Sequence, residues 1–298
     1  MSSPIETIIT PVTHDLGAFK VRRSLPAKAR TMVGPFIFVD QFGPARLAPG
    51  EGMDVRPHPH INLATVTYLF DGAIDHRDSL GTFQRIDPGA INLMTAGHGI
   101  VHSERSPGDT RAAGPGFYGM QTWLALPDGK EEIDPAFEHV AAGTLPVVEG
   151  EGVSATVLMG ELWGVTAPTT CHSPTIYADL VLAEGASVAI DAEADERAVL
   201  VTEGAATLDG EPLSQFDLVI LAPGHRALLK ATSPARAMLL GGGAFATPRH
   251  VFWNFVSSSR DRINQAKEDW RGGKFPTIPG DDKEYIPLPQ VPLTVSYP

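Results

Sequence analysis

Cysteine is almost absent: the 298 residues contain one, Cys171, so no internal disulfide can form and a reducing compartment is expected. No stretch approaches the roughly 20 apolar residues of a membrane span. The opening residues carry neither a basic cluster nor an apolar run, and the expected location is therefore the cytoplasm, with no membrane partner. Positive charge is also scarce. Lys and Arg number 23 against 35 Asp and Glu, for a net charge of −12, and no Lys/Arg run is present to follow a phosphate backbone. Direct binding to nucleic acid is not expected.

Turn-forming residues, by contrast, are plentiful. Thirty Gly and 26 Pro are scattered through a chain that is 43% hydrophobic, a mixture that suits many short strands joined by turns and points to an all-β fold. Residues 63–70, rich in β-branched and aromatic side chains, read as a strand ending at the Asp71-Gly72 turn, and further strand candidates follow about every ten residues to Pro127. Residues 127–150 are acidic and contain three prolines, which suits a crossover between domains. A weak internal repeat supports two related barrels in tandem: residues 70–73 are echoed by 202–205, and residues 87–98 by 216–225. Near the end, Ser257-Ser258-Ser259 precedes Ile263, Ala266 and Trp270 at helical spacing, and Gly272-Gly273 closes an amphipathic helix of about four turns. Arg22 and Arg23 read as part of a solvated edge strand.

Two short segments carry chemistry. Arg56-Pro57-His58-Pro59-His60 places two histidines two residues apart, and Gly97-His98-Gly99-Ile100-Val101-His102-Ser103-Glu104 offers His102 and Glu104 at the same spacing. On strands, side chains two apart share a face, so three imidazoles and one carboxylate can converge. The prolines stiffen the first segment, and Gly97 and Gly99 free the backbone of the second. A divalent ion held by such a set keeps a local charge of +1, which an enolate or phenolate oxygen would neutralise. Imidazole and carboxylate without thiolate suit Fe(II), Mn, Ni, Co or Cu, with coordination positions left open for catalysis. The second copy of the repeat has no such quartet. Of the other candidates, His76 and Asp78 read as loop contacts near Gly81, and His98 as a rim residue. Cys171 reads as a structural thiol, and Met94, Met120 and Trp123 as core, with the lining of an apolar pocket as the alternative.

Taken together, His58-Pro59-His60, Thr65-Val66-Thr67-Tyr68-Leu69, His76-Arg77-Asp78, Met94-Thr95-Ala96-Gly97-His98-Gly99-Ile100 and His102-Ser103-Glu104 resemble the pirin family of the cupin superfamily. The resemblance implies two tandem cupin (double-stranded β-helix) barrels packed face to face, over residues 1–148 and 149–245, followed by a C-terminal helix and extended tail at 246–298. It implies one metal ion, usually iron, in the first barrel, held by His58, His60, His102 and Glu104. It further implies a dioxygenase that opens a flavonol such as quercetin with O2 and releases CO, Glu104 taking the 3-hydroxyl proton. The alternatives are a non-enzymatic metal or redox sensor that binds a partner protein, and a metal-dependent enzyme of another cupin class. The pattern departs at Ala64, where many pirins carry a glutamate. Because two barrels burying each other need no second subunit, a monomer is expected.

Overall fold

The computed structural model describes residues 3–290 and the short strand Thr294–Val295. The rest of the Pro-rich end, expected to be extended, lies outside the described residues. Strand takes up 50% of the chain and helix 7%, so the fold is all-β. By contacts the chain divides into two compact units, neither contiguous in sequence: residues 14–21, 41–142 and 246–298 in one, and residues 1–13, 22–40 and 143–245 in the other.

The first of these carries the histidine segments. Its smaller sheet runs Asp54–His60, Ile100–Arg105, Ile74–Asp78, Phe83–Ile86, with every neighbouring pair antiparallel. The opposing sheet includes Ala136–Val140, Ile91–Thr95, Leu63–Asp71 and Gly116–Ala125 in that order. The two face each other, since Thr67 and Gln121 from one reach Glu104 on the other. Strand Leu63–Asp71 is buried on both faces, as its run of apolar and threonine side chains requires. At one end the core gathers Phe42, Leu69, Ile74, Ile86 and Phe117. The acidic stretch expected only to cross between domains in fact supplies a strand, Ala136–Val140, to the edge of this barrel. Its alternating pattern is weak because an edge strand buries little.

The other unit repeats the plan. A sheet of seven strands begins with Ile5–Ile9 and continues through Leu218–Leu221, Glu196–Glu203, Ala235–Gly242, Thr175–Leu182, Val153–Met159 and Val147–Gly150. A four-stranded sheet, Ser187–Ile190, Ala227–Ala231, Ala206–Leu208, Glu211–Leu213, completes it around an aliphatic core that includes Leu180, Val199, Leu229 and Leu239. The repeated turn seen in the sequence has a steric basis. Gly72 and Gly204 both have positive φ (90° and 70°), and a Cβ on either would press on a backbone oxygen, that of Gly116 or of Pro234. Arg23 is not simply solvated: it forks onto the Asp40 carboxylate at 2.9 and 2.8 Å, while Arg22 stacks over the Phe216 ring.

After the second barrel the chain returns to the first unit as a hairpin, His250–Phe252 and Phe255–Ser257, followed by the expected helix, Arg260–Arg271. Ser259 caps the helix by accepting from the Arg262 N–H, and Ile263 and Ala266 are buried against Ile61 and Phe255. At twelve residues the helix is slightly over three turns, because Ser257 is used by the preceding strand. No helix among the described residues is long and apolar enough to cross a membrane.

Candidate metal centre

His58, His60, His102 and Glu104 are all buried, between 1% and 6% exposed, on two paired strands. His102 stands opposite His58, as alternation predicts, but the register then slips so that Glu104 faces Val55. The extra residue falls at Arg56-Pro57, where proline has no N–H to give the ladder. This bulge frees the Arg56 carbonyl, which accepts a hydrogen bond from His58 Nδ1 at 2.8 Å.

Each imidazole is tied down through Nδ1. His60 Nδ1 donates to the Asn254 carbonyl at 3.1 Å, and His102 Nδ1 lies 3.4 Å from His76 Nδ1. A neutral ring that donates from Nδ1 has a bare Nε2. The Nε2 atoms of His60 and His102 are only 3.1 Å apart, and the His58 ring centroid is 4.3 Å from that of His102. His60 Nε2 is therefore bare; where His102 also donates from Nδ1, the pair becomes two bare nitrogens 3.1 Å apart, an arrangement suited to sharing a cation. The donor atoms of His58, His60 and His102 lie within 4.8 Å of one another, as do those of His76, His102 and Glu104, so the cluster could hold a metal ion.

Glu104 is brought to the cluster but is held from the opposite sheet. Gln121 Nε2 donates to both of its oxygens, at 2.9 and 3.0 Å, and Thr67 Oγ1 donates to Oε1 at 3.3 Å. Trp123 packs edge-on to His60 with centroids 4.9 Å apart, and Phe137 stacks on His76 at 4.6 Å. Met94 and Met120 are core, at 1% and 0% exposure. His98 is half exposed and faces Asp134 at 3.5 Å, outside both donor groups. Cys171 is only partly buried and belongs to the other unit.

His76 departs from expectation. The loop read from His76, Asp78 and Gly81 is instead a strand, Ile74–Asp78, paired with Ile100–Arg105 so that Glu104 faces His76 and His102 faces Asp78. Its five residues are too few for a clear period, and only its alternation of Ile74, His76 and Asp78 could have signalled it. Thr67 and Gln121, inward-facing polar residues on largely apolar strands, carry a similar signal. Asn254 contributes a carbonyl, which no side-chain pattern reveals.

The C-terminal segment also braces the outer side of these strands. Asp281 accepts from Ser103 Oγ at 2.7 Å and from Arg105 Nη2 at 2.9 Å, and the Ile286 N–H donates to the Pro57 carbonyl at 2.8 Å. Burial tends to raise the Asp281 pKa, but the Arg105 and Ser103 hydrogen bonds outweigh it and hold the carboxyl below its usual range.

Burial lowers the pKa of His58, with the Arg56 carbonyl and Glu104 partly opposing it. It pushes His60 and His102 well below the ordinary value, and neighbouring imidazoles add to the effect. The rings are therefore neutral and ready to ligate at pH 7. Unfolded histidines titrate near 6.5, so below that pH the unfolded chain takes up protons that the folded rings refuse, and stability falls as pH falls. Denaturant midpoints of the chelator-treated protein should be higher at pH 7.5 than at 5.5, and a flat or reversed trend contradicts the neutral cluster.

A sequence profile for Pirin matches residues 18–124, and one for the Pirin C-terminal cupin domain matches residues 177–276. A Pirin-like protein of Caulobacter vibrioides is 45% identical over 289 residues, covering 96% of this chain and 100% of its own. The chain belongs to the pirin family. Among other pirin relatives is a Pseudomonas aeruginosa protein named "Putative quercetin 2,3-dioxygenase", 38% identical over 92% of this chain and 87% of its own. The crystal structure of quercetin 2,3-dioxygenase from Acinetobacter baumannii superposes with a TM-score of 0.89 at 34% identity, covering 97% of each chain. The N-terminal pirin match contains all four residues of the expected quartet, and also His76, Asp78 and Gln121.

Proposed function

We propose that this protein is a metal-dependent dioxygenase that opens a flavonol such as quercetin with O2 and releases CO, with His58, His60, His102 and Glu104 as the metal ligands. The observation that carries the reading is the convergence of three buried imidazoles, two of which donate from Nδ1 to backbone carbonyls and so leave Nε2 bare. Relatives named for quercetin 2,3-dioxygenase supply the substrate class. Fe(II) is the ion proposed, with Mn, Ni, Co or Cu able to occupy the same donors. Once bound, a divalent ion supplies Lewis acidity toward the 3-oxygen of the flavonol.

The chain's own residues do the rest. Glu104 is the carboxylate positioned to take the 3-hydroxyl proton, and Gln121 and Thr67 fix the direction of its oxygens. Glu104 would hold the ion through one oxygen and accept the proton at the other. The burial of the imidazoles keeps bulk water from the donors, and Trp123 gives His60 an apolar wall. Ala64, 1% exposed on strand Leu63–Asp71, brings no second acid, so proton transfer falls to Glu104 alone in this reading.

The test is to load the chelator-stripped protein with each of the five metals in turn, add quercetin and O2, and follow flavonol absorbance and CO. Turnover with at least one metal, lost in His58→Ala, is the expected result. Stoichiometric metal binding with no turnover for any of them would instead favour the sensor that regulates a partner protein.

A further inference from the structure

Of the three imidazoles, two rest their Nδ1 atoms on backbone carbonyls, which can only accept. His102 is different: its Nδ1 faces another imidazole, His76, whose Nδ1 is 3.4 Å away. A histidine can donate or accept at that atom, so the protonation of His102 depends on what fixes His76. The opposite nitrogen, His76 Nε2, lies 3.1 Å from Asp78 Oδ2. Asp78 is 0% exposed, and its other oxygen accepts from the Leu80 and Thr82 N–H groups at 2.9 and 3.1 Å. Burial raises the Asp78 pKa, but the bonds from His76 and Thr82 outweigh it, so the group is a carboxylate and can only accept.

With a single ring proton on His76, the hydrogens follow in one order. His76 donates from Nε2 to Asp78, its Nδ1 is left to accept, His102 donates from Nδ1, and His102 Nε2 is bare. Phe137, stacked on His76 with an interplanar angle of 26°, holds the ring in the plane this requires. We propose that Asp78 and His76 are positioning residues which, through this two-step relay, select the His102 tautomer and aim its Nε2 at the ion. The proposal rests on the metal reading above and adds two residues to it. Carboxylates that orient ligating histidines are a general device of metal sites; here an extra imidazole lies between them.

The relay makes a prediction that a packing role does not. In Asp78→Asn, the amide oxygen keeps the Leu80 and Thr82 bonds and its NH2 turns toward His76. Two donors then face each other, His76 must take the other tautomer and donate to His102, and the His102 proton moves to Nε2, where it blocks the metal. In His76→Gln, the amide can donate to Asp78 and accept from His102, preserving the order.

Chelator-stripped protein is titrated with Co(II), recording calorimetric affinity and the visible ligand-field spectrum. The wild type is expected to bind one ion. Asp78→Asn and His76→Phe should each bind 10–100-fold more weakly, with altered spectra, and His76→Gln should recover most of the affinity and the wild-type spectrum. Circular dichroism reports folding; should His76→Phe fail to fold, Asp78→Asn against His76→Gln decides. Wild-type affinity and spectrum in Asp78→Asn overturn the relay while leaving the metal reading intact. Loss of all binding in His76→Gln, with binding kept in His58→Ala, also overturns it and makes His76 a ligand through the group it forms with His102 and Glu104. Failure of the wild type to bind any ion removes the metal reading and the relay together.

Discussion

A His60→Ala protein is expected to bind its metal ion roughly a hundred-fold more weakly than the wild type. Its Nε2 lies 3.1 Å from that of His102, its Nδ1 is fixed by the Asn254 carbonyl, and its ring is 1% exposed, so neither water nor a neighbouring side chain can take its place cheaply. Structural zinc sites with four protein ligands, the nearest scale, are worth about 10–16 kcal/mol in apparent binding energy at pH 7. One donor in four is thus on the order of 3 kcal/mol, or roughly two decades in Kd. Removing it also leaves the Asn254 carbonyl without its buried partner. Equilibrium dialysis with metal analysis over a series of free metal concentrations would show the shift in Kd, and His98→Ala serves as the contrast. That ring is half exposed, paired with Asp134 and outside both donor groups, so its removal should leave the Kd at the wild-type value. Equal binding by both variants would remove His60 from the ligand set.

The largest expected change in stability comes from Phe117→Ala. Phe117 is 1% exposed, with the rings of Phe19 and Phe42 each 4.7 Å from its own, one edge-on and one stacked. Truncating such a ring removes its transfer energy and leaves a cavity that its neighbours fill only in part, a loss of about 3–5 kcal/mol. For a chain of this size that lowers the melting midpoint by about 5–8 °C. Phe83, at 60% exposure with Arg77 over its ring, should change stability by less than about 0.5 kcal/mol when truncated. Calorimetric melts of the two variants side by side check the difference, and similar midpoints would mean that Phe117 is not a keystone of this core.

The histidine pairs were legible because strand alternation is a local rule: His58 with His60, and His102 with Glu104, each declare a face within three residues. The barrels were legible from turn spacing and from the repeat, whose glycines are fixed by contact with a facing backbone. Other features depend on partners far away in sequence. His76 sits on a strand of five residues, and its role follows only from pairing with the strand that bears Glu104. Gln121 is one polar side chain among apolar ones, and its inward direction is set by register against Thr67. The strand Ile5–Ile9 lies beside the first barrel's sequence yet pairs with Leu218–Leu221, because that edge offers unpaired backbone and an apolar surface for Ile9. Alternation says which side a residue faces, not which strand lies next to it.

The hold of Asn254 on His60 has a consequence for biosynthesis. The two residues are 194 positions apart. At about 5–20 residues per second, the carbonyl that sets the His60 tautomer is made roughly 10–40 s after the ring it serves. During that interval the nascent chain lacks the partner that fixes the His60 tautomer. In the proposed reading, a metal ion would meet the donors in their final geometry only on the finished polypeptide.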